Sequence, residues 1–144
     1  MPVIAVPMEV VDMKYLQEQG ALHGVSDYLT DDKLEQLKKT ECYTFLNSEQ
    51  KIIACAGIIE YWPGRVEAWM FFHPNCKKDF LGIYKVVKKF LKTRRFRRVE
   101  ATVNKAFVNG HRWVKAFGFQ LEAETLRKYG LFGEDSSLYA LVEP

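Results

Sequence analysis

Apolar and polar positions along this chain recur with two periods, and they divide it into short strands and amphipathic helices. Val3 to Val6 is an apolar run stopped by Pro7, which predicts a first strand. Val10 to Gln19 predicts a helix with Val11, Tyr15 and Leu16 on its apolar side and Gly20 as its stop. Leu22 to Leu29 fits neither period. Thr30, followed by Asp31, Asp32 and Lys33, predicts a capped helix start whose apolar positions are Leu34 and Leu37. Cys42 to Leu46 and Lys51 to Tyr61 are apolar or β-branched runs joined by Asn47-Ser48-Glu49-Gln50, the pattern of a hairpin. A second turn at Trp62-Pro63-Gly64 leads into a strand over Arg65 to Phe72, ended by Pro74.

The clearest helix is Leu81 to Lys92. Ile83, Val86, Val87, Phe90 and Leu91 form one apolar stripe, and Lys85, Lys88, Lys89 and Lys92 take the wet side. Val99, Ala101 and Val103 alternate with Glu100 and Thr102, a strand over Arg98 to Val103. Lys105 to Phe117 predicts a helix carrying Ala106, Gly110, Trp113 and Phe117 on one face, with Gly118 as its stop. Phe119 to Arg127 alternates again, Tyr129 to Asp135 is a turn, and Leu138 to Val142 is a last strand. A helix between the strands at 65–72 and 98–103 requires a parallel, right-handed crossover. The predicted fold is therefore α/β (α+β): a mixed, mostly antiparallel central sheet of about seven strands with helices on both faces, in one domain spanning residues 1–144.

Composition excludes several classes. With 48% hydrophobic and 27% charged residues the chain has an ordinary globular balance, which rules out disorder. No apolar run is long enough to span a bilayer, so no membrane role is expected. Met1 to Val11 lacks a basic leader, which argues against a signal peptide. Cys42, Cys55 and Cys76 lie far apart without a Cys-x-x-Cys pair, the pattern of reduced thiols in a cytoplasmic protein. Cys76 adjoins Lys77 and Lys78, which would lower its pKa if it were exposed. His23, His73 and His111 have no metal-ligand spacing, and no metal is expected; His73 reads as a turn residue and His111 as a surface or helix-packing group. The net charge is only +3, but Lys77, Lys78, Lys85, Lys88, Lys89, Lys92, Arg94, Arg95, Arg97 and Arg98 concentrate it in mid-chain. That run is either a solvated helix face with a basic turn or the footprint of an anionic partner.

The element order and the residues at its joints resemble the GNAT superfamily of acyl-coenzyme A dependent N-acyltransferases. Phe72-His73-Pro74-Asn75-Cys76-Lys77-Lys78-Asp79-Phe80-Leu81-Gly82 is similar to the family's strand-to-helix joint, where a V-D-P step precedes a basic residue and a glycine-rich turn. Trp113-Val114-Lys115-Ala116-Phe117-Gly118-Phe119 resembles its L-Y-x-x-x-G-F segment, and Leu121-Glu122-Ala123 with Arg127-Lys128-Tyr129-Gly130 its final hairpin. Departures are Phe80 for the turn's first glycine, Val114 for the tyrosine acid, and Phe107 for the asparagine that opens the second helix, with Asn104 and Asn109 nearby. Arg112-Trp113-Val114-Lys115 is also similar to small GNAT-like proteins of short-tailed bacteriophages, some of them virion components.

The resemblance implies acetyl-coenzyme A as cofactor and transfer of its acetyl group to a small-molecule or protein amine by direct attack on the thioester. It implies that Asp79, Phe80, Leu81 and Gly82 form a turn whose amides meet the pyrophosphate at a helix N-terminus, with Lys77 and Lys78 adding charge. Strands Ala68 to Phe72 and Glu100 to Asn104 would take the pantetheine arm, with Met70, Phe71 and Phe72 along it, and Asn104 and Asn109 complete the cofactor set. Glu67 is the candidate base, against a plain solvent-facing carboxylate, with Glu60 as a second candidate. Tyr84, Tyr129 or Tyr139 is a candidate to replace the missing tyrosine acid, and nothing in the sequence chooses among them. The competing function is a GNAT-shaped structural or interaction protein without catalysis, phage-encoded or virion-associated. It would sit in the host cytoplasm or the virion. An exposed C-terminal edge strand suits a homodimer. Nucleic-acid binding ranks last, because Phe96 is the one aromatic among the arginines and no stacking platform is visible.

Overall fold

The computed structural model describes residues 2–22 and 28–143. It has the element order β1 (Ile4–Pro7), α1 (Val10–Glu18), α2 (Asp31–Lys38), β2 (Glu41–Leu46), β3 (Ile52–Trp62), β4 (Arg65–Phe72), a 3-10 turn (Lys77–Asp79), α3 (Phe80–Arg94), β5 (Arg98–Asn104), α4 (Val108–Ala116), β6 (Gln120–Leu126) and β7 (Ser136–Val142). The seven strands run in the order β1-β2-β3-β4-β5-β7-β6. The sheet is mixed and mostly antiparallel, with β4 and β5 as its parallel pair. The predicted α+β class and the parallel pairing of these two strands are those observed. His23 lies outside the described residues, as does most of the ambiguous segment around it.

The chain forms two compact units: Met1–Ile59 with Trp69–Val87, and Glu60–Ala68 with Lys88–Pro144. In the first unit, β2 pairs antiparallel with β1 and with β3, in the register Val6↔Thr44 and Thr44↔Cys55. Met8, Met13, Leu16, Ala21, Leu22, Leu34, Cys42 and Cys55 form its core, with Trp69 and Phe71 packed against them. Thr30 Oγ1 accepts from Lys33 N, and Asp31 and Asp32 lie in the first turn of α2, where the helix dipole favours acids. The β2–β3 turn is closed by Asn47, whose Oδ1 accepts from Glu49 N at 2.9 Å and Lys51 N at 3.0 Å.

In the second unit β5 pairs with β7 along its whole length, from Arg98↔Val142 to Asn104↔Ser136, and β6 pairs with β7 outside it. Helix α4 starts at Val108, three residues later than its periodicity predicts. Asn104 is the reason: its Oδ1 accepts from Ala106 N at 2.9 Å, and its carbonyl from Phe107 N at 2.9 Å, so Lys105 and Ala106 turn before the helix begins. Gly110 faces β5, where an added Cβ would lie 2.6 Å from Val103 Cγ1 and 2.8 Å from Phe107 Cδ2. Close approach therefore requires glycine there. Gly118, at φ +96°, ends the helix in the left-handed region. Lys88, expected on the wet side of α3, is half-buried and reaches the Phe117 carbonyl at 3.4 Å.

Candidate functional site

In the first unit, strand alternation places the candidates on β4. Trp69 and Phe71 turn toward the unit's core, rings 5.8 Å apart, and the buried indole N–H of Trp69 meets no acceptor among the described residues. His73 follows them. Its ring stacks on Tyr15 at 5.9 Å, and its backbone N–H donates to the Ile53 carbonyl at 2.8 Å. Asn75 N donates to His73 Nδ1 at 3.0 Å, so a neutral ring carries its proton on Nε2, 3.4 Å from Tyr15 Oη. On the other side Met70 is half-buried, and Phe72 is buried with its ring 6.0 Å from that of Phe80.

The turn from β4 into α3 uses some of its own donors. Asp79 N donates to the Cys76 carbonyl at 2.8 Å, and Phe80 N donates to the Lys77 carbonyl. Asp79 is 4% exposed and its carboxylate receives Asn47 Nδ2 at 3.4 Å, so its charge is drawn inward. Phe80 has ordinary helical angles, φ −59° and ψ −39°, which any residue adopts, and its ring lies against Phe72. Its place in the turn therefore needs no glycine. Lys77, Lys78 and Leu81 are exposed; Lys78 also lies 3.8 Å from Glu49. Gly82 lines a cleft of about 350 Å³ with Pro2, Val3, Lys85 and Val86. Cys76 is buried at 6% exposure, and desolvation pushes its thiol up to about 11. The exposed, activated thiol considered from its lysine neighbours is not what the structure holds.

In the second unit, Glu67 is half-buried on β4 and accepts a hydrogen bond from the Tyr61 hydroxyl. That bond, with partial burial, pushes the Tyr61 phenol up to about 12. Glu67 is the register partner of Glu100 on the parallel strand, and the two carboxylates differ sharply in environment. Arg65 grips Glu100 with two bonds, at 2.7 and 3.1 Å, and Arg98 Nε adds a third at 2.6 Å. These guanidinium groups hold Glu100 down to about 2. Arg98 also forks onto Glu122 at 2.6 and 3.1 Å, and Arg65 lies over the rings of Tyr61 and Trp62, 4.6 Å from each. Glu67 accepts from a neutral phenol instead.

The remaining candidates are scattered over this unit. Glu60, Asn104, Asn109 and Tyr129 are exposed, and Asn104 is committed to the turn before α4. Val114 is half-buried on α4. Tyr139 is buried, and its hydroxyl lies 2.7 Å from His111 Nδ1, while His111 Nε2 lies 3.0 Å from the Lys105 carbonyl. The carbonyl only accepts, so Nε2 carries the proton and Tyr139 donates to Nδ1. That makes His111 the helix-packing group expected of it. The Tyr61–Glu67 pair, the double grip on Glu100 and the Tyr139–His111 pair were not foreseen from the sequence; Arg65, Arg98 and Glu100 at the ends of two predicted parallel strands were the available signal. Among the described residues no group of three metal-ligating side chains occurs, and no helix is long and apolar enough to cross a membrane.

No protein-family model matches the chain, and no curated protein matches it in sequence. Solved structures do. A GNAT-family acetyltransferase from Bacillus anthracis superposes with a TM-score of 0.72 at 15% identity, over 99% of this chain and 95% of the other. A spermidine N-acetyltransferase chimera from Vibrio cholerae gives 0.77 at 12% identity, over 99% and 96%. A phosphinothricin acetyltransferase from Sinorhizobium meliloti, solved in complex with acetyl-coenzyme A, gives 0.72 at 15% identity, over 99% and 89%.

Proposed function

Taking the GNAT acetyltransferase fold as the premise, we propose that this protein is an acetyl-coenzyme A dependent N-acetyltransferase acting in the cytoplasm on a small-molecule or protein amine. The supporting observation is the likeness to acetyltransferases over nearly the whole chain, at TM-scores of 0.71 and above. Coenzyme A would supply the acyl group as a thioester. Lys77 and Lys78 are exposed cations suited to its phosphates, beside the start of α3 at Leu81 and Gly82. Asp79 and Phe80 contribute the shape of the turn, since their amides already serve Cys76 and Lys77. Backbone at Met70, Phe71 and Phe72 would carry the pantetheine arm, and Asn104 and Asn109 are the second unit's cofactor candidates.

An ammonium acceptor must lose a proton before its nitrogen is nucleophilic. Glu67 is the group for this, because Tyr61 occupies one carboxylate oxygen and leaves the other. Glu100 cannot substitute, held by two arginines far below the working range of a base. A second reading, a GNAT-fold structural or interaction protein of phage or virion origin, is favoured by the spent amides of Asp79 and Phe80 and by the apolar Val114.

Thermal denaturation with acetyl-coenzyme A separates the two. At a hundredfold excess over its dissociation constant the cofactor should add about 2.7 kcal/mol of stability. Glu67→Gln should keep that shift and lose about 100-fold in turnover. No shift at millimolar cofactor leaves the non-catalytic reading, and an unchanged rate removes Glu67 from the chemistry.

A further inference from the structure

Helix α3 ends, and the turn after it runs, through Lys88, Lys89, Lys92, Arg94, Arg95, Arg97 and Arg98 without an acid between them. From Phe80 to Leu121 the single acidic residue is Glu100. It is 8% exposed and its carboxylate is consumed by Arg65 and Arg98. The next acid, Glu122, is exposed and is occupied by Arg98, which holds it with two hydrogen bonds. Lys89, Lys92, Arg95 and Arg97 are exposed, and Lys88 Nζ on the Phe117 carbonyl brings α3 against the C-terminal end of α4, where Arg112 and Lys115 are exposed too. Two helix ends thus contribute to one basic face of the second unit.

Two further features decide what such a face binds. Arg94 lies over both Phe90 and Phe96, at 5.2 and 5.1 Å, so part of its ordering cost is already met before any ligand arrives. The aromatic partner that the sequence lacked at Phe96 is supplied by Phe90, one α3 turn upstream of Arg94. In addition, no large apolar side chain is exposed between Lys88 and Arg98. A protein partner is normally anchored by buried aromatic or aliphatic side chains in the middle of the interface. A phosphodiester backbone is held chiefly by charge and needs no apolar anchor.

From this arrangement we infer that the basic face formed by the C-terminal halves of α3 and α4, with the 94–98 turn, binds nucleic acid through its phosphates and without sequence preference. Lys89, Lys92, Lys115, Arg94 and Arg95 are the contacts, since the Arg97 guanidinium already donates to the Pro63 carbonyl at 2.9 Å. This is independent of the acyltransferase reading and stands or falls separately from it.

The test is fluorescence anisotropy of a short labelled DNA duplex of mixed sequence, and of single-stranded RNA, titrated with the full chain across salt. Five phosphate contacts give a log–log salt slope of about −4.5 on duplex DNA, a loss of about 500-fold in affinity between about 50 and 200 mM salt. Replacing Lys89, Lys92 and Lys115 together by alanine should flatten the slope to about −1.8. Alanine suits both helices, and circular dichroism checks that the fold is kept. Replacing the same three by arginine should restore the steep slope. The relative affinity of RNA and DNA identifies which phosphodiester the face prefers. Absence of binding at low salt would overturn the proposal. An unchanged slope in the alanine variant would do the same, as would binding of poly-glutamate or phosphatidylserine vesicles as tight as that of the duplex.

Discussion

Reactivity of a side chain is decided by what surrounds it in space, and Cys76 illustrates the difference from its neighbours in sequence. Lys77 and Lys78 are exposed, while the thiol between them and Asn75 is buried. Desolvation wins over any nearby positive charge, and the group is pushed up to about 11. Cys55 is pushed further, to about 12, and Cys42 is raised as well, both by burial. At neutral to mildly alkaline pH the three thiols should therefore react with a chromogenic disulfide at least about 100-fold more slowly than free cysteine. Denaturant should release all three at once. A fast phase worth one thiol in the native protein would mean that Cys76 is exposed after all. The same logic separates Glu67 from Glu100, carboxylates side by side on neighbouring strands: one accepts from a phenol, the other from two guanidinium groups.

At the scale of elements, β5 is held by charge as well as by its ladder. Glu100 ties Arg65 of β4 to Arg98 of its own strand, and Arg98 continues to Glu122 on β6. The folded-state pKa of Glu100 is about 2, below its ordinary 4.5. A depressed carboxylate contributes stability that is fully present above the ordinary value and is lost as pH falls through the folded one. Between about pH 5 and pH 2 the wild type should lose about 2 kcal/mol more than Glu100→Gln does, read from urea denaturation at each pH. Equal losses would place the acid sensitivity elsewhere. At neutral pH the same variant takes the carboxylate from Arg65, while Arg98 keeps Glu122, and should cost about 2 kcal/mol. Strand and helix periods made nearly every element legible, including the parallel pair, because burial of one face is written into each segment. What periodicity misses is side-chain competition with the backbone: Asn104 spends three residues on a turn where Ala106 and Gly110 already keep helical spacing. The site was less legible still. Tyr61 meets Glu67, and Tyr15 meets His73, only because of how strands and helices are placed, and that placement leaves no mark in local composition.

For the molecule as a whole, a net charge of +3 conceals two opposite halves. The first unit carries eight lysines and arginines against ten acids, a net of −2, and the second carries thirteen against eight, a net of +5. Two of those eight acids, Glu100 and Glu122, are tied up by Arg65 and Arg98, so they do little to screen the cations of α3 and α4. Like charges in one compact unit repel over the Debye length, about 30 Å at 10 mM salt and about 8 Å at 150 mM. Partly buried pairs such as Arg65–Glu100 are screened less than exposed cations, so added salt removes more repulsion than attraction. Sodium chloride raised over that range should therefore stabilise the protein by about 1 kcal/mol, or about 3 °C in Tm. In the variant with Lys89, Lys92 and Lys115 replaced by alanine the gain should fall to about half, since three of the repelling charges are gone. A Tm that drops with salt in the wild type would mean that surface ion pairs, such as Lys14–Asp31 and Lys38–Glu9, outweigh the repulsion within the basic unit.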